Sequence, residues 1–308
     1  MRYQAHVSTP FLQILRAAIM SDAPSPHLAA YEVVIRPNRS WLSIDWRALF
    51  EFRDLLVLLV RREFVSKYRQ TILGPAWFVL QPLLTTLVFT IMFNRVAQIS
   101  TDGVPPTLFY LCGLLGWNYF SQNFTVASTT FTTNSALFSK VYFPRLIVPL
   151  SIILSNLTAF ALQLITFFAF YAGFELMGRG GNIHLSWTAA LLPVLVLETA
   201  AISLGASLWM AALTAKYRDL THLIPFLIQL WMFASFVIVP LSTVPAKWQW
   251  VAQLNPMATV VEMFRFSLLG VGTLTPASIT TSALITLLVL FSGVFIFQRT
   301  ERTFIDTV

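Results

Sequence analysis

Charge is what this chain has least of. Asp, Glu, Lys and Arg together make up 11% of its 308 residues, where a soluble domain carries roughly a quarter. So little charge excludes a water-facing surface along the whole chain. Cysteine is almost absent as well. Cys112 stands alone, which rules out an intrachain disulfide. The four histidines, His6, His27, His184 and His222, are scattered without metal-ligand spacing, so no metal site is expected. No Gly-x-x-x-x-Gly-Lys-Ser/Thr occurs anywhere, so the chain does not cradle a nucleotide phosphate by that route. No Ser/His/Asp set lies close in sequence. Acids that could form a proton relay are thin. Glu198 is the one formal charge deep inside an expected span. An intramembrane carboxylate is a functional candidate by default, and the alternative is a protonated or hydrogen-bonded packing residue.

What the chain does have is apolar length. It is 56% hydrophobic with a mean hydropathy of +0.72. A bilayer core roughly 30 Å thick is crossed by about 20 mostly apolar residues. Uncharged runs place six such spans, near Ile72–Phe93, Pro106–Ser128, Leu146–Phe174, Trp187–Leu213, His222–Leu241 and Ser278–Phe297. Ser242–Ala277 is apolar too, but Pro245, Pro256, Pro276, Gly270 and Gly272 break it. Two short helices fit there, near Ala246–Leu254 and Ala258–Leu269. Neither is long enough to span, so both read as re-entrant or interfacial. The fold class expected is therefore an all-α polytopic membrane protein of six transmembrane helices, with two short re-entrant helices between spans five and six.

Ahead of the spans, residues 1–40 carry Pro10, Pro24, Pro26 and Pro37 and read as a loosely ordered cytosolic extension. Phe11–Met20 is apolar, but it is short and interrupted by Gln13 and Arg16, so no cleavable signal peptide is expected. Residues 41–70 read as an interface segment and 71–308 as the transmembrane domain. Asp45 is placed to cap a helix starting near Trp46. Along it Leu49, Phe52, Leu56 and Leu59 recur at helical spacing, with Arg47, Glu51 and Asp54 on another face. Followed by a basic cluster, that pattern suits an amphipathic helix lying in the membrane interface. A soluble helix packed on a partner domain is the alternative.

The chain is basic, with net charge +7 and a pI near 9.9. Topology accounts for the charge, so no nucleic acid partner is expected. Four cations fall between Arg61 and Arg69, and the next 25 residues carry none. With both termini, the second-to-third loop and the fourth-to-fifth loop on one side, that side holds sixteen Lys and Arg against four on the other. The positive-inside rule makes the rich side cytoplasmic. No internal repeat is visible, which weakens a transporter built from inverted halves. The 27 Phe, 9 Trp and 8 Tyr offer rings that could stack on sugars, although packing and interface anchoring explain most rings equally well.

Four pieces, in this order, carry a resemblance. They are Lys67-Tyr68-Arg69-Gln70-Thr71-Ile72-Leu73-Gly74-Pro75-Ala76-Trp77 with Gln81-Pro82-Leu83, Asn134–Arg145 with Pro149-Leu150, Lys216-Tyr217-Arg218-Asp219-Leu220, and Asn255-Pro256-Met257. The tail Glu301–Asp306 adds to them. From about residue 45 onward the chain resembles the membrane (permease) subunit of type-2 ABC transporters that export polysaccharides such as O-antigen, capsule and wall teichoic acid. The resemblance implies a homodimer in a bacterial cytoplasmic (inner) membrane, with two separate ATP-binding-cassette ATPase subunits. ATP and Mg would sit on those subunits, with no cofactor and no catalytic residue in this chain. The implied cargo is an undecaprenyl-pyrophosphate-linked polysaccharide, O-antigen first.

The resemblance also implies roles. Arg61, Arg62, Lys67, Tyr68 and Arg69 would meet the lipid pyrophosphate, a task for which the arginine fork is suited; anchoring to anionic lipid is the simpler role for the same cations. Leu73 and Gly74 would form the cytoplasmic gate loop. Trp77, Phe89, Phe93, Trp231, Phe233 and Phe236 would line the channel. Leu137, Phe138, Lys140, Val141, Tyr142 and Arg145 would couple to the ATPase, with Lys216, Arg218 and Asp219 as a second contact. Two other readings remain. A related subunit could export drugs or small lipids. A membrane enzyme acting on polyprenyl-linked sugars would need acidic clusters in cytosolic loops, and those loops offer only Asp219.

Overall fold

The computed structural model describes residues 46–305, apart from Gln70, Ser139, Tyr142, Asn182 and Ser186. The expected extension over residues 1–40 and the Asp45 cap lie outside the described residues. Every regular element among the described residues is helical. Twelve α-helices follow in order: α1 Trp46–Glu51, α2 Arg53–Tyr68, α3 Trp77–Phe89, α4 Pro106–Ala127, α5 Thr130–Thr133, α6 Ser135–Phe138, α7 Ile147–Leu176, α8 Leu192–Lys216, α9 Ile224–Ala234, α10 Ala246–Gln253, α11 Pro256–Leu269 and α12 Pro276–Ile305. Short 3₁₀ segments lead into α3, α8 and α9, and a π-helix, Thr90–Val96, continues α3.

Among the described residues four stretches are long and apolar enough to cross a membrane: Gly74–Val96, Ile147–Leu176, Trp187–Lys216 and Pro276–Glu301. Each overlaps a span expected from the uncharged runs. Proline sets several starts. Pro106, Pro256 and Pro276 each occupy the first residue of their helix, where the missing N–H costs nothing and φ is already helical.

α4 is the central element. It packs against α7, α8 and α11, and every residue from Leu108 to Trp117 is buried. α12 runs along α8 in the most extensive helix pair of the fold. The two cross where Gly205 faces Gly293. A Cβ on Gly205 would stand 2.7 Å from the Leu290 backbone, and one on Gly293 would strike the Gly205 carbonyl. Small residues let membrane helices approach this closely, and contact over the bare backbone supplies the attraction.

The apolar stripe expected along residues 49–59 packs on the protein's own core. Leu59 is buried, and Leu49, Phe52 and Leu56 pack with it against the start of α7 and the 131–146 connection. The helix is broken at Phe52, between α1 and α2. Phe50, Val57 and Leu58 stay exposed on its other side.

The run His222–Leu241 is not one regular helix. A 3₁₀ turn, Arg218–Leu223, precedes α9, which holds eleven residues and stops at Ala234. Phe236 then adopts φ +54°, a value bulky residues rarely take. The two short helices expected beyond it are present as α10 and α11.

Candidate functional site

The basic cluster sits on α2. Arg61, Arg62 and Arg69 are exposed, and Arg62 pairs with its neighbour Glu63 at 3.0 Å. Lys67 points elsewhere. Its Nζ donates to Asn156 Oδ1 on α7 at 2.6 Å. Asn156 Nδ2 donates to Asn123 Oδ1 on α4 at 2.8 Å, and Asn123 Nδ2 donates to Ser203 Oγ on α8 at 3.2 Å. A directed row of four polar side chains thus runs from α2 through three apolar helices. Burial pushes the Lys67 ammonium below its ordinary value, and Glu63 pulls the other way. The Tyr68 side chain lies outside the described residues.

Downstream, Leu73 is exposed and Gly74 adopts φ +51° with open space around it. That backbone favours glycine, and Pro75 follows within the short 3₁₀ turn that starts the span.

Of the residues expected at a channel, Trp77 and Phe233 are exposed. Phe89 and Phe93 contact each other edge-on at 5.4 Å and pack on the main core. Trp231 is half-buried, its ring 4.8 Å from Phe120 and its indole N–H on Asn255 Oδ1 at 3.1 Å. Phe236 lies in the turn after α9.

The Asn134–Arg145 connection is mostly irregular. Among its described residues the only helix is the four-residue α6, which holds Leu137 and Phe138 but not Lys140, Val141 or Arg145. Phe138 is buried against Phe131 and Phe143. Arg145 is buried too, its Nη1 donating to the Glu301 carbonyl at 3.2 Å and its guanidinium lying over Phe138. Burial lowers the Arg145 pKa, and Glu301 opposes the shift. Leu137 is half-buried, Lys140 and Val141 are exposed, and Tyr142 lies outside the described residues. Lys216, Arg218 and Asp219 are exposed.

Glu198 on α8 accepts a hydrogen bond from Ser282 Oγ on α12 at 2.6 Å. A second, more deeply buried charged site sits on α11. Glu262 Oε2 and Arg265 Nη1 lie 3.5 Å apart, with side chains 2% and 1% exposed. Asn255, just before α11, accepts from Met257 N at 3.1 Å, which caps α11, and donates to the Ala234 carbonyl at 2.9 Å, which closes α9. The signal for the charged site is Glu-x-x-Arg in an otherwise apolar helix, a spacing that puts both side chains on one face. Among the described residues no group of His, Cys, Asp and Glu is arranged to hold a metal ion.

Residues 54–269 match the family described as ABC-2 type transporter. The chain belongs to that family. An O-antigen export system permease protein of Myxococcus xanthus is 31% identical over 221 residues, covering 71% of this chain and 82% of that protein. A protein of the same description from Klebsiella pneumoniae is 25% identical over 255 residues, covering 82% of this chain and 94% of its own length. The polysialic acid transport protein of Escherichia coli is 23% identical over 267 residues, covering 85% and 99%.

Proposed function

We propose that this ABC-2 family member is the channel-forming subunit of an ATP-driven exporter, with an undecaprenyl-pyrophosphate-linked polysaccharide, O-antigen first, as its cargo. The observation that carries the reading is the likeness to O-antigen export permeases over most of both chains. The absent phosphate loop fits a subunit whose ATPases, with ATP and Mg, are separate chains. Two copies of this chain and two ATPases make the working complex in the bacterial cytoplasmic membrane.

In this reading the chain crosses six times, α4 and α9 completing the four longer spans, with both termini cytoplasmic. Residues 41–70 lie in the interface, where Phe50, Val57 and Leu58 face lipid and the α2 cations face headgroups. The exposed Arg61, Arg62 and Arg69 receive the pyrophosphate. Lys67 serves a different end and ties α2 to the spans through Asn156. Leu73 and Gly74 form the gate loop. Lys140, Val141, Lys216, Arg218 and Asp219 are the exposed ATPase contacts, with Phe138 and Arg145 holding their platform. Trp77 and Phe233 face the path or the second copy. Glu198 joins α8 to α12. α10 and α11 re-enter from the outer side.

A capsule-type glycan is the second cargo reading, favoured by the likeness to a polysialic acid transport protein over most of both chains. Deletion of the gene, with analysis of lipid-linked glycan inside and polysaccharide outside, tests both. Export predicts glycan trapped inside and none at the surface, and its composition names the cargo. Glycan that is never made would point to a polyprenyl-glycan enzyme. An intact surface with altered drug tolerance would point to drug or lipid export.

A further inference from the structure

The fifth apolar run stops short, and its own sequence does not stop it. Ser235-Phe236-Val237-Ile238-Val239 contains no glycine, and the first proline comes at 240. A helix commonly ends on a glycine in the left-handed region; here Phe236 takes that conformation at φ +54°. The Ala234 carbonyl at the stop is taken by Asn255, and the carbonyls of the turn beyond it are taken by Arg265. Arg265 Nη1 donates to Phe236 O at 3.0 Å and Nη2 to Val237 O at 2.6 Å. The guanidinium carbon lies over Phe109, 3.9 Å from the ring centre, beside Gly113. A Cβ at 113 would come within 2.9 Å of Nη2. Glu262 balances the charge and holds the Thr273 N–H at 3.0 Å with Oε1. One ion pair thus fastens α4, the end of α9, α11 and the loop before α12.

Stability alone does not account for this pair. Taking two charges out of water costs several kcal/mol per ion, and replacing a buried pair with apolar groups of similar size is often neutral or better. The pair is also incompletely satisfied, because Arg265 Nε has no hydrogen-bond partner among the described residues. What the pair supplies is direction. A guanidinium presents parallel donors to two successive carbonyls, which neither a lysine nor an apolar side chain does. It holds a strained backbone that would otherwise relax, and strain of this kind gathers at switches and clamps.

We propose that Arg265, set by Glu262, is the positioning residue of the exit. It fixes the turn that follows the short fifth span, and by doing so it holds α10 and α11 across the outer end of the export path. The inference rests on the export reading above.

The test uses the full-length subunit with its partner ATPase, in a strain deleted for the gene. The double variant E262Q/R265M removes both charges and leaves no unpaired ion. It is expected to reach the membrane at the normal level and to support ATP hydrolysis, while surface polysaccharide falls at least about tenfold, a factor equivalent to 1.4 kcal/mol. R265K keeps the charge without the fork and is expected to fail in the same way. A purely structural role would not separate hydrolysis from export. Normal export by either variant overturns the proposal. So does failure of both variants to reach the membrane, since the pair would then belong to folding and not to the exit. A deletion strain that keeps its surface polysaccharide overturns the export reading and the exit role together.

Discussion

α3 and α4 are neighbours in sequence and in space, and they live in opposite surroundings. In the apolar window of Gly74–Val96 only 11% of residues are buried. Leu80, Leu84, Leu87, Val88 and Ile91 all stand exposed. α4 is covered on every side through Leu108–Trp117, yet it is the less apolar helix and is absent from the four clear spans. Hydropathy reports what solvent a helix prefers, and a helix with protein on all sides need not prefer lipid. It can carry polar groups if each finds a partner. α4 does so at three positions: Tyr119 Oη donates to the Ile153 carbonyl at 3.2 Å, Asn118 Nδ2 to Gln163 Oε1 at 3.2 Å, and Asn123 joins the row from Lys67, while the buried Tyr110 hydroxyl has no partner among the described residues. The exposed apolar face of α3 is left for lipid or for a second copy of the chain.

Breaking that contrast should have its largest effect in α4. Phe120 is fully buried between Trp231 and Phe124. Phe120→Ala should cost about 3–5 kcal/mol, seen as a lower melting temperature of the solubilised subunit and poor accumulation. Leu84→Ala on α3 should change stability by less than about 0.5 kcal/mol, seen as an almost unmoved melting temperature. Equal losses would show that α3 is sheltered as α4 is. A step down comes the α8–α12 crossing. Gly205→Leu meets backbone and not a flexible tip, so overpacking of about 1–3 kcal/mol should part the helices and lower the yield of folded protein. Unchanged yield and melting would remove the crossing as a structural need.

The cations of α2 sharpen the comparison at the membrane surface. Lys67→Met leaves Asn156 Oδ1 buried without its donor, a loss of about 1–3 kcal/mol. Arg69→Ala removes an exposed charge and should leave stability within about 0.5 kcal/mol while reducing export. If both variants melt alike, Lys67 is a surface cation like its neighbours.

The sequence makes four of the six expected spans and the short helix pair legible because both are set by local rules: uncharged length, proline and the helical repeat. It also makes the turn before α3 legible, since Gly74 precedes Pro75. It does not reveal which side of an apolar helix meets protein. Arg265 counts among the few cations of the outer side by sequence, yet it is buried and bonded to the turn after α9. Lys67 reads as one cation in a cluster, and its partner lies 89 positions away. Asn123 and Asn156 look like isolated amides in greasy runs. Such pairings depend on how helices cross, and no spacing within one helix encodes them. The one exception is Glu262 with Arg265, where both charges share a helical face and the close spacing is visible before any fold is known.

The smallest structural effect should come from the 134–145 connection, and it separates platform from contact. Phe138 and Arg145 are buried beneath Lys140 and Val141, which face outward. Lys140→Ala with Val141→Ala should leave melting within about 0.5 kcal/mol, because neither side chain supports the core. If these residues touch the ATPase, the same variant should recover less ATPase when the subunit is purified from the membrane. Phe138→Ala should lower recovery as well, but only together with stability, since its ring is wedged between Phe131 and Phe143. Normal ATPase recovery with the exposed pair removed would move the docking surface to Lys216, Arg218 and Asp219, the exposed residues expected as the second contact. The order of the two losses therefore distinguishes a residue that binds a partner from one that shapes the surface beneath it.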